Sequence, residues 1–128
     1  MIILDASVLM AHFTPGDVHA SSALEILDTE EELALHFLTL AEILVHPAKV
    51  GAERTIHQAL DTLGVIQLPV TPDEPSRIAR IRATTSLRMP DACVLAAALH
   101  QGAALATFDN HLADVARSNG VATHDFAA

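Results

Sequence analysis

The sequence predicts an α/β fold with a mainly parallel central sheet, and three observations lead to that prediction. Short apolar segments alternate with segments of helical periodicity. Such alternation is typical of parallel sheets, because parallel strands are joined by crossover helices. The 128-residue length favours a single domain spanning residues 1–128. The one cysteine, Cys93, excludes an internal disulfide and any cysteine-based zinc site, so the core must rest on packing alone.

The N-terminal part of the chain begins with a short apolar run from Met1 to Leu4, which predicts a buried strand that ends at an acid. The segment from Ala6 to Phe13 is short and apolar, and the turn Thr14-Pro15-Gly16 closes it. Apolar residues at three- and four-residue spacing predict an amphipathic helix from Val18 to Leu27. A second strand is predicted over Leu33 to Phe37.

The second half of the pattern starts with a helix predicted from Leu40 that is bent or ended near Pro47. Another helix follows from Glu53 to Leu63, and Gly64 is its C-terminal stop. The remaining predicted elements are a strand over Val65–Leu68, a helix over Pro72–Thr84, a helix from Met89 through His100 with Gly102 as its stop, a strand over Ala104–Thr107, a helix over His111–Ser118 and a short last strand over Val121–Thr123.

The composition limits the classes of function. Charged residues make up 18% and hydrophobic residues 51% of the chain, which excludes a disordered protein and favours a partner covering part of the apolar surface. The formal net charge of -9 argues against a simple nucleic-acid binder. The N-terminal run lacks a preceding basic residue and contains Asp5, and the run Ala92–Leu99 is too short to span a membrane, which takes about 20 residues. We therefore expect a soluble cytoplasmic protein.

Four acids lie at equivalent places in the predicted pattern. Asp5 ends the first strand, and Asp109 follows the fourth by two residues. Glu42 and Asp91 are each predicted in the first turn of a helix, the one after the second strand and the one opened by Pro90. Because strand C-termini and helix N-termini share one edge of a parallel sheet, all four carboxylates are expected at that edge.

Each acid also has an explanation as a helix-capping residue. Thr39-Leu40-Ala41-Glu42 matches the capping box, and Asp5 and Asp109 can be N-caps. Asp91 after Pro90 suits the positive end of a helix dipole. Capping accounts for each acid singly. It accounts less well for a carboxylate at four of five helix starts, because Ser, Thr and Asn are equally good capping residues.

A group of carboxylates at one edge points to metal chemistry. Four of them close together would repel one another, and divalent cations relieve that repulsion. Mg²⁺ prefers oxygen ligands and keeps several waters, so a loose ring of carboxylates suits it. Two such ions could activate a water and stabilise the leaving oxygen of a phosphodiester. Ser7 and Thr107 add hydroxyls at the same edge that could orient a water or a metal-bound ligand.

These residues resemble a known family. The segments Ile-Leu-Asp5-Ala-Ser7, Thr-Leu-Ala-Glu42-Ile-Leu, Met-Pro-Asp91-Ala-Cys-Val-Leu-Ala-Ala-Ala and Leu-Ala-Thr107-Phe-Asp109 are similar, in order and spacing, to those of PIN-domain ribonucleases. More narrowly, they resemble the VapC toxins of type II toxin–antitoxin modules. The resemblance covers essentially the whole chain.

The resemblance implies an α/β/α sandwich with a parallel sheet and a Mg²⁺- or Mn²⁺-dependent endoribonuclease with one or two ions. It implies that Asp5, Glu42, Asp91 and Asp109 are the catalytic, metal-binding acids, with Ser7 the accompanying hydroxyl. Thr107 matches a hydroxyl position common before the last acid. It also implies a homodimer, an RNA substrate and a cognate VapB-type antitoxin bound near the active site.

Basic and histidine residues give further candidates. Arg88, Arg80 and Arg82 could form, together with Arg77, a local phosphate-binding strip, and Arg88 is the best candidate because it must lie near Asp91. A solvated helix face that pairs with acids explains the same arginines equally well. The eight histidines are predicted to be mostly surface or partly buried, and among them His111, two residues past Asp109, is the one to check. The helices around Val18–Leu27, Ile43–Val50 and Glu53–Leu63 could offer apolar faces to a partner.

Two alternatives belong to other functional classes. A PIN-like fold without catalysis could serve as a binding or regulatory subunit, although all four acids are present. A receiver domain fits poorly, because its pair of acids after the first strand and its late lysine are missing. Here Asp5 stands alone, and the only lysine is Lys49.

Overall fold

A computed structural model describes residues 1–124 of the chain, and within them seven helices surround a five-stranded sheet. The strands are β1 (Ile2–Leu4), β2 (Leu33–Leu35), β3 (Val65–Gln67), β4 (Ala104–Ala106) and β5 (Thr123–His124). The helices are α1 (Ala6–Phe13), α2 (Ala20–Leu27), α3 (Phe37–Lys49), α4 (Glu53–Leu63), α5 (Glu74–Thr84), α6 (Met89–Gln101) and α7 (Asn110–Ser118).

The sheet is parallel throughout its described strands, in the order β3-β2-β1-β4-β5. Ile3 of β1 pairs with Ala34 on one side and with Leu105 on the other. From β1 the chain therefore moves outward to β2 and β3, and then returns to add β4 and β5 on the opposite side. This reversal makes the space between β1 and β4 the topological switch point, where open α/β sheets bind ligands at the carboxyl ends of their strands.

Two hydrophobic clusters lie on opposite faces of the sheet. Ile2 and Leu4 belong to the cluster with the buried residues of α1 to α4, whereas Ile3 belongs to the cluster with α5, α6 and α7. Alternate residues of a strand point to opposite faces, so a fully buried β1 must be apolar at every position. The predicted α/β/α sandwich is thereby confirmed.

The helix boundaries agree with most of the sequence signals. Gly64 and Gly102 adopt left-handed φ angles of 75° and 61° and end α4 and α6 as predicted, because glycine has no Cβ to clash there. The predicted start of α3 at Leu40 is wrong: the helix begins at Phe37, which sequence reasoning assigned to β2. The helix ends at Lys49, two residues after Pro47, which confirms the predicted end near that proline.

The same shift overturns the predicted capping box. His36 is the N-cap of α3, and its Nδ1 accepts a hydrogen bond of 3.0 Å from the backbone N–H of Leu38. Thr39 is buried within the helix, and Glu42 lies in the second turn rather than the first. Histidine has a ring nitrogen that can accept this bond, but it is an uncommon capping residue, so the sequence pattern favoured Thr39 instead.

The described helices include none that is long and apolar enough to cross a membrane.

Candidate active site

Asp5 lies at the switch point, at the carboxyl end of β1, and it is buried with 8% of its surface exposed. Its Oδ2 accepts hydrogen bonds from the hydroxyls of Ser7, at 2.7 Å, and of Thr107, at 2.8 Å. The backbone N–H of Ser7 points to the same oxygen at 3.4 Å, so Asp5 also caps α1. All three donors bind one oxygen, and Oδ1 accepts no hydrogen bond from residues 1–124.

Asp109 occupies the matching place after β4, as the N-cap of α7. Its Oδ1 accepts hydrogen bonds from the backbone N–H groups of His111, at 2.9 Å, and Leu112, at 3.1 Å. Its own N–H donates to Thr107 Oγ1 at 3.0 Å. The buried Thr107 hydroxyl therefore joins the two acids, since it donates to Asp5 while it accepts from Asp109.

A second set of bonds ties the two strand ends together. The backbone N–H of Asp5 donates to the carbonyl of Ala106 at 3.0 Å, and that of Phe108 donates to Ser7 Oγ at 3.0 Å. The hydroxyls of Ser7 and Thr107 are 3.3 Å apart. Capping and site formation are thus compatible for Asp5 and Asp109, because each carboxylate uses one oxygen for its cap.

Glu42 and Asp91 reach the same place from helices. Burial raises the pKa of the Glu42 carboxyl, and the charges of Asp5 and Asp91 raise it further. The pKa of Asp91 is likewise raised by burial first, and then by the charges of Asp5 and Asp109. The like charges that act on Glu42 and Asp91 thus come from the other predicted acids: Asp5 and Asp91 act on Glu42, and Asp5 and Asp109 act on Asp91. Asp91 lies in the first turn of α6, as predicted.

The type of ligand that these acids offer suits a hydrated ion better than a closed ligand cage. Within residues 1–124, no three acidic, histidine or cysteine side chains converge tightly enough to hold a metal as they stand. Mg²⁺ keeps several of its waters and needs only one or two direct carboxylates. The site offers four carboxylates, and the pKa values of two of them are raised because the nearby positive charges do not balance burial and the like charges. Such a set of ligands therefore fits a hydrated divalent cation.

The predicted arginines are separated by the structure. Arg88 is exposed at the N-cap of α6, and its positive charge partly lowers the pKa values of both Glu42 and Asp91. Arg82 instead donates to the carbonyl of Leu87 at 2.6 Å, and Arg80 lines a separate groove beside Ile81. Of the three, Arg88 is the one whose charge reaches the acids.

Two histidines have roles that sequence reasoning did not assign. His36 is 3% exposed, and its Nε2 contacts the carboxylate of Glu74, which links the start of α3 to α5. Its place directly after β2, equivalent to that of Asp5 after β1, was the available signal. His111 contributes a charge that lowers the pKa of Asp91, and its Nε2 lies 2.9 Å from Ser86 Oγ.

Cys93 lies on α6, two residues after Asp91, and its side chain is buried. Burial raises the pKa of its thiol to about 11. A thiol of this kind stays protonated and suits packing, as predicted.

Comparison with known proteins places this geometry in context. The PIN domain family matches residues 2–118. A toxin–antitoxin complex from Klebsiella pneumoniae contains a chain that is 25% identical, with a TM-score of 0.75 over 90% of this chain and 92% of that one. No curated protein is significantly similar in sequence.

Two further structures share the fold at lower identity. FitAcB from Neisseria gonorrhoeae is 20% identical, with a TM-score of 0.71 over 98% of this chain and 97% of its own. The VapC20 toxin of Mycobacterium tuberculosis, described as cleaving the sarcin–ricin loop, is 18% identical, with a TM-score of 0.72 over 90% and 95% of the two chains. The matched family, the parallel five-stranded sheet and the acids at its switch point agree, and this chain belongs to the PIN-domain family.

Proposed function

We propose that this chain is a metal-dependent endoribonuclease toxin that hydrolyses RNA phosphodiester bonds and is neutralised by a cognate VapB-type antitoxin. The proposal treats residues 1–128 as one PIN-like domain that acts in the cytoplasm. The observation that carries it is that the charges of Asp5, Asp91 and Asp109 act on the carboxyls of Glu42 and Asp91 and raise the pKa of both, beyond the effect of burial.

The chain's own residues supply the positioning. Thr107 and Ser7 fix Asp5 by hydrogen bonds to one oxygen, so the carboxylate is held in place before any ligand binds. Asp109 is fixed by the N-terminus of α7 in the same way. Among residues 1–124, neither Glu42 nor Asp91 forms a side-chain hydrogen bond, so both carboxylates remain available as ligands.

Asp5, Glu42, Asp91 and Asp109 would hold one or two Mg²⁺ or Mn²⁺ ions. When bound, such ions lower the pKa of a coordinated water and stabilise negative charge on a phosphodiester. Arg88, exposed beside Glu42 and Asp91, would contact an RNA phosphate. A single arginine at an otherwise acidic site attracts the RNA backbone locally, although the net charge of the chain is -9.

The antitoxin partner is supported by the similar structure from Klebsiella pneumoniae, which is a toxin–antitoxin complex. Exposed apolar side chains support the presence of partners in general. Val18 is 90% exposed, and Leu24, Val45 and Val50 of the α2 and α3 region are also exposed. We propose that these residues are covered by the antitoxin or by the second subunit of a homodimer.

The decisive experiment is cleavage of total cellular RNA by the purified, antitoxin-free chain with Mn²⁺, with Mg²⁺ and with EDTA. We expect discrete fragments that require metal and that disappear with Asp91→Asn. Asp61→Asn is the matched control, because Asp61 is an exposed acid on α4 and lies outside the site. Cleavage that survives EDTA and Asp91→Asn would refute the proposed site.

A catalytically silent PIN-like binding subunit is the alternative. It predicts that the folded chain leaves RNA intact with every metal, while it still binds its partner. The same RNA cleavage assay therefore separates the two functions.

A further inference from the structure

A buried histidine and a largely buried glutamate meet where the start of α3 faces α5. His36, the N-cap of α3, is 3% exposed, and its Nε2 contacts Oε1 of Glu74 in the first turn of α5. Both side chains border an apolar groove that is also lined by Ile78, Met89 and Cys93. In such surroundings a hydrogen bond is strong and an unpaired polar group is costly, so each of the two side chains depends on the other.

The hydrogen bonds of the His36 ring determine which nitrogen carries the hydrogen. The backbone N–H of Leu38 donates to Nδ1 at 3.0 Å, so Nδ1 must offer a lone pair. A neutral imidazole then carries its hydrogen on Nε2, the atom that faces the Glu74 carboxylate. A ring with hydrogen on Nδ1 would set one N–H group against another. Of the two neutral forms, Glu74 therefore selects the one that caps α3.

The register of the sheet places His36 at the same edge as the acids. Ile3 of β1 pairs with Ala34 of the neighbouring strand β2, and Asp5 and His36 each follow two residues later. Ile3 and Ala34 both belong to the hydrophobic cluster on the face of α5, α6 and α7, which is the face where His36 meets Glu74. His36 thus lies one strand away from the switch point.

The position of Glu42 depends on how α3 is held. Glu42 lies in the second turn of α3, and Asp91 lies in the first turn of α6. Both α3 and α5 pack against α6, and the contact between His36 and Glu74 joins the start of α3 to α5. The three helices are thereby fixed relative to one another. Loss of the contact frees the first turn of α3, so the place of Glu42 relative to Asp91 becomes less defined.

We propose that His36 is a positioning residue for the metal site: Glu74 holds its ring in the form that caps α3, and the anchored start of α3 keeps Glu42 in place as a ligand. The inference rests on the proposed function and adds to it a pair of residues that act through Glu42. A cap that only stabilised the fold would leave metal affinity unchanged.

The test measures the dissociation constant of Mn²⁺ for the full chain by isothermal titration calorimetry. Glu74→Leu is expected to weaken binding roughly threefold to tenfold, less than the 10–100-fold typical when a direct partner of a metal ligand is lost. Glu74→Gln keeps an acceptor for Nε2–H and should bind Mn²⁺ like the parent. His36→Asn keeps a capping oxygen but lacks the distal ring nitrogen, so it should weaken binding as much as Glu74→Leu does.

Two further variants separate a specific effect from a general one. Glu53→Leu is the matched control, because Glu53 is an exposed acid in the first turn of α4, as Glu74 is in the first turn of α5. It should leave the Mn²⁺ affinity unchanged. The double variant with His36→Asn and Glu74→Leu should lose no more affinity than either single variant, because the two residues act as one unit. Circular dichroism verifies that each variant folds.

Nitrogen NMR of the parent with ¹⁵N-labelled histidine reads the ring form directly, and His36→Asn identifies the signals of His36. We expect a protonated Nε2 and an unprotonated Nδ1. A hydrogen on Nδ1, an unchanged Mn²⁺ affinity in Glu74→Leu and His36→Asn, or no Mn²⁺ binding by the parent would overturn the inference. Failure of the proposed function is recognised separately: the parent would bind Mn²⁺, and the variants would weaken that binding, but total RNA would stay intact.

Discussion

The four acids at the switch point form two pairs that the fold treats differently. Asp5 and Asp109 stand at strand ends, where hydroxyls and helix N–H groups hold one oxygen of each. Glu42 and Asp91 stand on helices and face the first pair, and burial together with like charges raises the pKa of both. Hydrogen bonds in the folded chain stabilise the first pair. The ionised carboxylates of the second pair instead lower the free energy of unfolding.

The difference between the two pairs shows how residues with a structural role and residues with a proposed catalytic role can lie in one site. An acid that caps a helix contributes stability and is already oriented. An acid held among like charges lowers stability when it is ionised, which makes it a candidate for a function that requires the charge. The predictions below test this division, in order of decreasing effect.

Asp91→Asn is expected to have the largest effect, a loss of two or more orders of magnitude in RNA cleavage, since a ligand worth several kcal/mol is removed. The melting temperature without metal should stay the same or rise at neutral pH. A carboxyl whose folded pKa is raised destabilises the fold above that pKa, and Asn removes the charge. Cleavage assays and calorimetry measure the two quantities. A fall of several degrees in melting temperature would instead indicate that Asp91 stabilises the fold, as Asp5 and Asp109 do.

Thr107→Val is expected to affect both properties. The buried hydroxyl donates to Asp5 and accepts from the N–H of Asp109, so its loss leaves both groups short of a partner. We expect a loss of about 1–3 kcal/mol in the free energy of unfolding, measured with urea, and a loss of roughly 10–100-fold in cleavage. Thr62→Val is the control, because Thr62 is an exposed threonine of α4 outside the site, and it should change neither stability nor cleavage. If Thr107→Val lowers stability but leaves cleavage intact, the two strand-end acids serve as caps only.

A bound metal ion should offset the loss of stability that the charges of Glu42 and Asp91 cause. Mn²⁺ or Mg²⁺ at tenfold its dissociation constant is expected to stabilise the fold by about 1.4 kcal/mol, because the ion binds only the folded site. Thermal melts of a metal-stripped sample with increasing metal measure this effect. Asp91→Asn should weaken the response and Asp61→Asn should not. An equal response in Asp91→Asn would locate the ion elsewhere.

The smallest effect concerns an acid whose pKa moves in the opposite direction. The hydrogen bond from Arg77 to Asp73 lowers the pKa of that carboxyl from 3.8 to about 2, with a second hydrogen bond from Thr71. Asp73 therefore contributes stability above pH 3.8 that is lost as the pH falls toward 2. The difference in melting temperature between the parent and Asp73→Asn should shrink over that range. A difference that stays constant down to pH 2 would contradict the assignment.

Much of the fold could be predicted from local patterns. The bounds of α4 were predicted at both ends, since the amphipathic spacing and Gly64 are local signals. The start of α3 was not, because Phe37 continues the apolar run of β2, and only the backbone N–H of Leu38 bonded to the His36 ring marks the boundary. The last strand was predicted at Val121–Thr123 and lies at Thr123–His124, a shift that short edge strands commonly show.

The sequence by itself determined the alternation of strands and helices, the burial of β1 on both faces and the types of side chain at each strand end. These properties depend on residues close together in the chain. Only the tertiary structure decided that Thr107 joins Asp5 to Asp109, that Arg88 but not Arg82 acts on the acids, and that the ring of His111 contacts Ser86. Such contacts join residues up to about a hundred positions apart, and their distances follow from the order of strands in the sheet.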